Sequence, residues 1–373
     1  MAVSRIDEAG LNINQYGNRN LIINGAMQVA QRGTSSTGIT SQGYRTVDRF
    51  KITMQAGNAG TWTETQESDG PSGFSNSQKV LCTTANASLG SGAYFFISQH
   101  MEAQNFQHLD YGSSGAKTLA LSFYVKSNKT GTYNFELSNS DASSLYYNTH
   151  QYTISSANTW EKKTIIITGS TSDAIDNNNQ KGLNVTFWLL AGTDYSGGTY
   201  NENTWHGTEA NRAVGNVNLA DATNNYWQIT GVQLEVGDTA TDFEHRTFAD
   251  ELARCHRYYQ RVSETGGSGS NNYLRYGIGS NLSTTQSEIH VQSMVPMRAD
   301  PTLETTGTLS NYALYDSDSV VALTALVLES GGHGTNQRFI LDGQVSSGLT
   351  DGGACQLINN NNSTGYLAFS AEL

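Results

Sequence analysis

The stretch 194–212, DYSGGTYNENTWHGTEANR, holds the side chains of this sequence best suited to meeting a ligand. Tyr195, Tyr200, Trp205 and His206 stand there among Asp194, Asn201, Glu202 and Asn203. Aromatic faces stack on the apolar face of a pyranose ring, and amides and carboxylates beside them hydrogen-bond its hydroxyls. Ser144–Gln151 (SLYYNTHQ) is a weaker second set, through Tyr146, Tyr147 and His150. For both segments the alternative stays open that the aromatics pin a long loop to the fold, or pack against a neighbouring subunit.

Other chemistries find less support. Asp316-Ser317-Asp318 and the pair Asp173 and Asp176 bring carboxylates close together. A Ca²⁺ ion takes roughly six to eight oxygens, and neither group has the spacing of a dedicated loop. Solvated turn carboxylates are the better reading, so no cofactor is expected and a structural Ca²⁺ stays only a weak option. GGHG at 331–334 lacks the lysine and the strand–helix setting of a phosphate loop. The eight histidines include no HxH or HExxH, which disfavours a catalytic metal. No GxSxG elbow occurs, and a glycosidase needs two carboxylates held about 5–10 Å apart, which sequence cannot display. The expectation is a binding protein, not an enzyme.

Composition limits the partners. Charged residues make up 14%, well under the roughly 25% of an average soluble protein. The net charge is −12, with no cluster of Lys and Arg to neutralise phosphates, which argues against nucleic acid. It also argues against an anionic membrane surface. No run of eighteen apolar residues appears, so membrane insertion by a helix is not expected. Cys82, Cys255 and Cys355 are odd in number and lack a CxxC, which points to buried free thiols.

The elements that must position these residues are strands. Leu21–Ile23, Val47–Thr53, Tyr94–Ser98, Thr118–Val125, Gly131–Leu137, Glu161–Thr168, Leu183–Leu190 and Trp227–Val236 all carry strand patterns. Leu119, Leu121, Phe123 and Val125 share one face, as do Tyr133, Phe135 and Leu137. Large loops between short strands predict an all-β jelly-roll sandwich over 20–246, after an arm at 1–19 that anchors the protein.

At Thr247 the period changes. Thr247 and Asp250 have the spacing of a capping box, and Phe248, Leu252, Cys255 and Tyr259 repeat at helical intervals. A connecting helix over 247–265 is expected, its apolar face serving either an oligomer core or packing under its own sandwich. After the Gly/Ser/Asn run 266–272 come six further strand patterns, Tyr273–Ile278, Glu288–Met294, Thr302–Thr306, Val320–Leu328, Arg338–Leu341 and Tyr366–Glu372. Residues 266–373 are therefore expected to form a smaller C-terminal β-sandwich domain.

Three segments carry a resemblance. NLIINGAMQVAQRGTS (20–35) with VDRF (47–50), and ITGVQLEVGDTATDFEHRTFADELARCHRYYQ (229–260), are similar to bacteriophage tail-fibre and related virion proteins. VQSMVPMRADPTLETTG (291–307) and GYLAFSAEL (365–373) resemble the strand pattern of the domain that follows. In such chains the opening motif starts a jelly roll like those of carbohydrate-binding modules, and the middle motif closes it. Phe50 stands where Trp is usual, and Met27 and Ala30 where aromatics are common.

The resemblance implies a structural virion protein, a tail or head fibre, that forms a homotrimer and attaches to a host surface glycan. Its other partners would be virion proteins. The opening MAVSRIDEAGLNINQ lacks the order of a secretion signal, which fits a protein made in the host cytoplasm and carried on the particle. A capsid decoration protein without a receptor role is the alternative, and a polysaccharide depolymerase a more distant one.

Overall fold

The computed structural model describes residues 18–55, 57–141, 145–263, 273–329, 335–362 and 364–373. The chain divides into two compact units, one ending at Glu251 and joined by Leu373, the other spanning Leu252–Glu372. The division falls inside a helix.

Among the described residues the first unit contains thirteen strands. They are β1 (Ser35–Ile39), β2 (Gly43–Tyr44), β3 (Lys51–Met54), β4 (Thr61–Glu67), β5 (Ser77–Thr84), β6 (Tyr94–Glu102) and β7 (Leu119–Ser127). Then come β8 (Gly131–Asn139), β9 (Tyr146–Ile154), β10 (Glu161–Ile167), β11 (Lys181–Ala191), β12 (Trp205–His206) and β13 (Tyr226–Val236). Six build one antiparallel sheet in the order β1-β4-β5-β13-β7-β10, and seven build the other in the order β12-β9-β8-β11-β6-β3-β2. The chain crosses repeatedly from one sheet to the other, which makes this a jelly-roll sandwich.

Alternation explains the burial. Leu119, Leu121, Phe123 and Val125 are all fully buried, and so are Tyr133, Phe135 and Leu137. Rings interlock between the layers: Trp62 with Phe95 at 4.3 Å, and Phe123 with Phe187 at 5.1 Å. The Trp227 indole donates to the Tyr152 hydroxyl at 3.2 Å across the core.

Leu21–Ile23, expected as a strand, is not one. It runs beside β13 with side chains in place of a ladder. The Leu21 amide donates to Leu234 O (2.8 Å), the Asn20 amide group to Val232 O (3.0 Å), and the Leu234 amide to Asn20 Oδ1 (3.1 Å). Val47–Arg49 likewise turn before β3 begins. Asn24 holds that turn, donating to Val29 O and Asp48 O while accepting from the Val29 amide. Gly25 is required by contact, because a Cβ there would lie 2.1 Å from Val232 O.

The helix, α2 (Phe248–His256), follows the short helix α1 (Thr193–Ser196) in chain order. It starts as predicted: the Asp250 amide donates to Thr247 Oγ1 (3.2 Å), and the Thr247 hydroxyl to the Asp250 carboxylate (2.7 Å). It stops earlier than the expected 265. Tyr259 begins the strand β14 (Tyr259–Ser263), and Phe248 is 56% exposed, so Phe248, Leu252, Cys255 and Tyr259 do not form one buried helical face. Pairing with the last strand of the chain overrides the helical period.

The second unit continues with β15 (Arg275–Asn281), β16 (Gln286–Gln292), β17 (Thr302–Thr305), β18 (Tyr312–Asp316), β19 (Ser319–Leu328), β20 (Arg338–Val345), β21 (Ala354–Asn359) and β22 (Tyr366–Ser370). Among its described residues it is β throughout, apart from its share of α2 and one short 3₁₀ turn at Leu309–Asn311. The expected second sandwich takes another form, since its main sheet closes into a barrel, β15-β16-β20-β19-β18-β21, beside a three-stranded sheet β14-β22-β17. Strands β18 and β21, which link β19 to β15 and so close the ring, escaped the sequence reading. All three cysteines are buried, and none is in a disulfide.

One buried carboxyl stands out in the sandwich. Glu64 on β4 is fully buried, and this burial raises its pKa to about 7 against the opposing hydrogen bond from Gln78 (2.6 Å). A folded-state pKa above the unfolded value means the native chain binds the extra proton, so stability falls as pH rises from about 4.5 to about 7. Glu64→Gln is expected to flatten that limb of the melting-temperature profile. Parallel profiles for variant and parent would contradict it.

Candidate functional site

The segment between β11 and β13 lies against the outer face of the seven-stranded sheet. Gly198 and Ala213 donate their amides to Ala210 O and Tyr195 O, folding the segment on itself. The sheet then binds it: the Asn134 backbone N–H donates to Asn216 Oδ1 (2.8 Å), and Gln151 Nε2 donates to Val214 O (2.8 Å).

The four residues singled out by sequence part company here. Trp205 sits opposite Asn148 on β9 and turns toward the core, donating its indole N–H to Thr168 O (2.8 Å) and meeting Tyr111 edge-on at 5.9 Å. Its neighbour His206, opposite Tyr147, faces outward with the rings 6.0 Å apart. The Tyr200 hydroxyl accepts from the Gln151 amide (3.0 Å). Tyr195, on α1, packs on Trp188 (5.6 Å) and Tyr94 (5.5 Å). Ser144 lies outside the described residues; Tyr146–Gln151 belong to β9, whose alternation sends Tyr147 outward and His150 inward. A two-residue edge strand and a one-residue flip are invisible in composition.

Arg212 fastens the segment. Its Nε and Nη2 donate to both oxygens of the buried Glu136 (2.8 and 2.9 Å), and Nη1 donates to Glu209 (2.8 Å). The guanidinium lies over Tyr147 (4.1 Å) and Trp188 (5.0 Å). Burial alone would lower the Arg212 pKa, and the Glu136 carboxylate more than reverses that, leaving it raised. Burial alone would raise Glu209. The Tyr147 hydroxyl and Arg212 overcome it and hold that carboxyl below its usual range.

Register places the rest of the face in cross-strand rows. One row reads Thr149, Glu136, Thr186, Ser98, Lys51. Beside it Trp188 pairs with Phe96 and Phe96 with Thr53, and on the other side Asn184 pairs with His100. Phe96 stacks with Tyr94 at 5.8 Å and tilts against Trp188 at 4.9 Å. Among the described residues Ser98 Oγ, Thr149 Oγ1, Trp188 Nε1, Asn184 Oδ1 and His100 Nδ1 are buried without a hydrogen-bond partner. Each such orphan costs about 1–3 kcal/mol. Burial, with nearby Lys181, Lys51 and Arg49, pushes His100 well down, so its imidazole is neutral. The face thus combines half-buried aromatic rings with unused neutral donors and acceptors.

The carboxylates considered for Ca²⁺ accept hydrogen bonds from the protein. Asp316 accepts from the Thr350 amide (2.7 Å) and Asp318 from the Tyr315 hydroxyl (3.0 Å); Asp173 accepts from Ser170 (3.1 Å) and Asp176 from Asn178 (3.4 Å). No group of three or more His, Cys, Asp or Glu able to hold a metal ion occurs among the described residues. GGHG 331–334 lies outside them.

Trp205→Ala is expected to lower stability by about 2 kcal/mol, since it removes a half-buried ring that packs on the core. Unchanged melting would overturn the packing role. Arg212→Ala should cost roughly 3–5 kcal/mol, because the Glu136 carboxyl group is left buried without its partner. Melting within a degree of the parent would show that the pair does not hold the segment.

No protein-family model matches the chain, and no curated protein matches it in sequence. Solved structures match part of it at low similarity. One is the enzymatically active domain of tailspike protein 4 of bacteriophage CBA120, at 13% identity and a TM-score of 0.30, covering 59% of this chain and 22% of that one. Another is a putative sugar binding protein from Bacteroides thetaiotaomicron, at 11% identity and 0.32, covering 58% of this chain and 100% of that one. A third is the C-terminal family 22 carbohydrate binding module of Clostridium thermocellum Xyn10B, at 12% identity and 0.32, covering 60% and 99%. Values this low leave the function to be read from the chain's own side chains.

Proposed function

We propose that the first unit binds a carbohydrate chain across the outer face of its seven-stranded sheet, and that the protein attaches a virion to a host surface through that contact. The observation that carries the binding reading is the group of partly exposed rings on this face, Phe96 stacked with Tyr94 and Tyr195 edge-on to Tyr94. The C–H face of a sugar ring would lie on these aromatics, and its hydroxyls would meet partly exposed polar neighbours such as Thr53, the cross-strand partner of Phe96. The virion role rests on the resemblance of residues 20–50 and 229–260 to tail-fibre proteins.

Binding without cleavage is part of the proposal. Glu136, under this segment, and Glu209, within it, are both held by Arg212, which leaves neither as a ready acid or nucleophile. Self-association as a homotrimer is proposed as well, supported by the large apolar side chains that the second unit exposes, Ile278, Leu282, Met294, Val320 and Val327. Light scattering that returned the mass of one chain would remove the trimer.

Phe96→Ala and Tyr94→Ala are expected to weaken retention in affinity electrophoresis through bacterial surface polysaccharides at least tenfold, with melting little changed. Full retention by both variants would overturn the assignment of this face. Release of reducing ends from the same polysaccharides would replace binding with hydrolysis.

A further inference from the structure

The sandwich has a second place where polar groups are left unused, away from the outer face. On the inner side of β9 the alternation that buries Tyr152 and Ile154 also turns Asn148 and His150 inward. Their register partners on β8, Leu137 and Phe135, are core residues. Inward positions of a sandwich are normally apolar, and these two are not. His150 is 4% exposed and Asn148 fully buried, yet His150 Nε2 and Asn148 Oδ1 have no hydrogen-bond partner among the described residues.

His150 borders a cavity of about 460 Å³, whose other walls are Gln151, Thr164, Ile165, Ile166, Glu202 and Asn203. It opens on the flank of the sandwich, where β10 is the last strand of one sheet and β9 is followed only by the two-residue β12 in the other. The volume lies within the roughly 300–1,000 Å³ usual for small-molecule pockets. Asn203 closes one side, its backbone amide donating to Thr149 O (3.2 Å) and its Oδ1 accepting from the Thr168 amide (2.8 Å).

We propose that this flank cavity is a second binding site, for a single uncharged sugar ring. Ile165 and Ile166 offer an apolar wall for ring C–H groups. Thr164, Gln151, Glu202 and the His150 imidazole, all in the cavity wall, offer partners for hydroxyls. Charge sets the class of ligand. The lining holds a carboxylate, Glu202, and no Lys or Arg, so an acidic sugar or a phosphate would meet repulsion with nothing to offset it. Burial pushes the His150 pKa down to about 4, so its imidazole stays neutral at pH 7 and supplies no cation either. The carbohydrate reading of the outer face contributes only the ligand class; the two sites use different side chains.

The test is ¹H–¹⁵N TROSY titration of the full chain at pH 7 with glucose, galactose, mannose and N-acetylglucosamine, and with glucuronic acid and inorganic phosphate as anionic controls. Saturable shifts at His150, Gln151, Thr164, Glu202 and Asn203 are expected for at least one neutral sugar, with dissociation constants near millimolar, and none for the anions. His150→Phe should abolish them. Thr164→Phe, at an exposed position of β10 that tolerates an aromatic residue, should block the mouth and weaken binding at least tenfold without affecting the fold. No saturable shift at the cavity with any neutral sugar would mean it holds only water, and the proposal would fall. Shifts confined to Tyr94, Phe96 and Tyr195 would overturn it too, while leaving the outer-face reading intact. Equal binding by parent and both variants would likewise place the sugar elsewhere.

Discussion

The first unit depends on one junction, where residues 19–25 meet the end of β13 and the turn into α2. The chain there has no regular ladder, and buried backbone groups without partners are costly. Carboxylates and amides take over that work. Glu244 accepts the amides of Arg19 and Asn20, Glu251 accepts the amide of Asn24 (2.6 Å), and Arg246 Nη1 donates to Ile22 O (3.0 Å). Arg246 also pairs with Glu244 (3.2 Å) and Glu251 (3.4 Å). The junction ties two segments more than 200 residues apart, and the sandwich between them is closed by it.

That constraint accounts for what the most recognisable motifs do. NG at 24–25 is a backbone device: Asn24 at φ 61° organises the turn to Val29 and Asp48, and Gly25 lets the chain touch Val232. The FEHR run at 243–246 supplies the carboxylate and guanidinium of the junction. Neither motif reaches the outer face of the seven-stranded sheet. The residues that carry the motifs and those proposed to meet a ligand are thus different ones.

Arg212 does for the loop what the junction does for the sandwich. It was missed in the sequence because a lone arginine in a polar loop carries no signal; its partner Glu136 lies 76 positions away, on a strand whose other face is apolar. Phe96, Ser98, Trp188 and Asn184 were missed for a related reason. They are the alternate residues of strands read for their core-facing half, and only cross-strand register brings them into rows.

The sequence by itself determined the β class, the buried faces of β7 and β8, the capped start of α2 and the aromatic character of the loop. These are local properties, set by period two, helical period and the chemistry of caps. Tertiary structure decided the rest. It turned Trp205 inward and His206 outward, ended the helix before Tyr259 by offering it a strand partner, and closed the second unit's sheet into a barrel. It also left two sets of buried polar atoms unused. Each of those outcomes depends on which strand lies beside which, and pairing between distant segments has no local period to announce it.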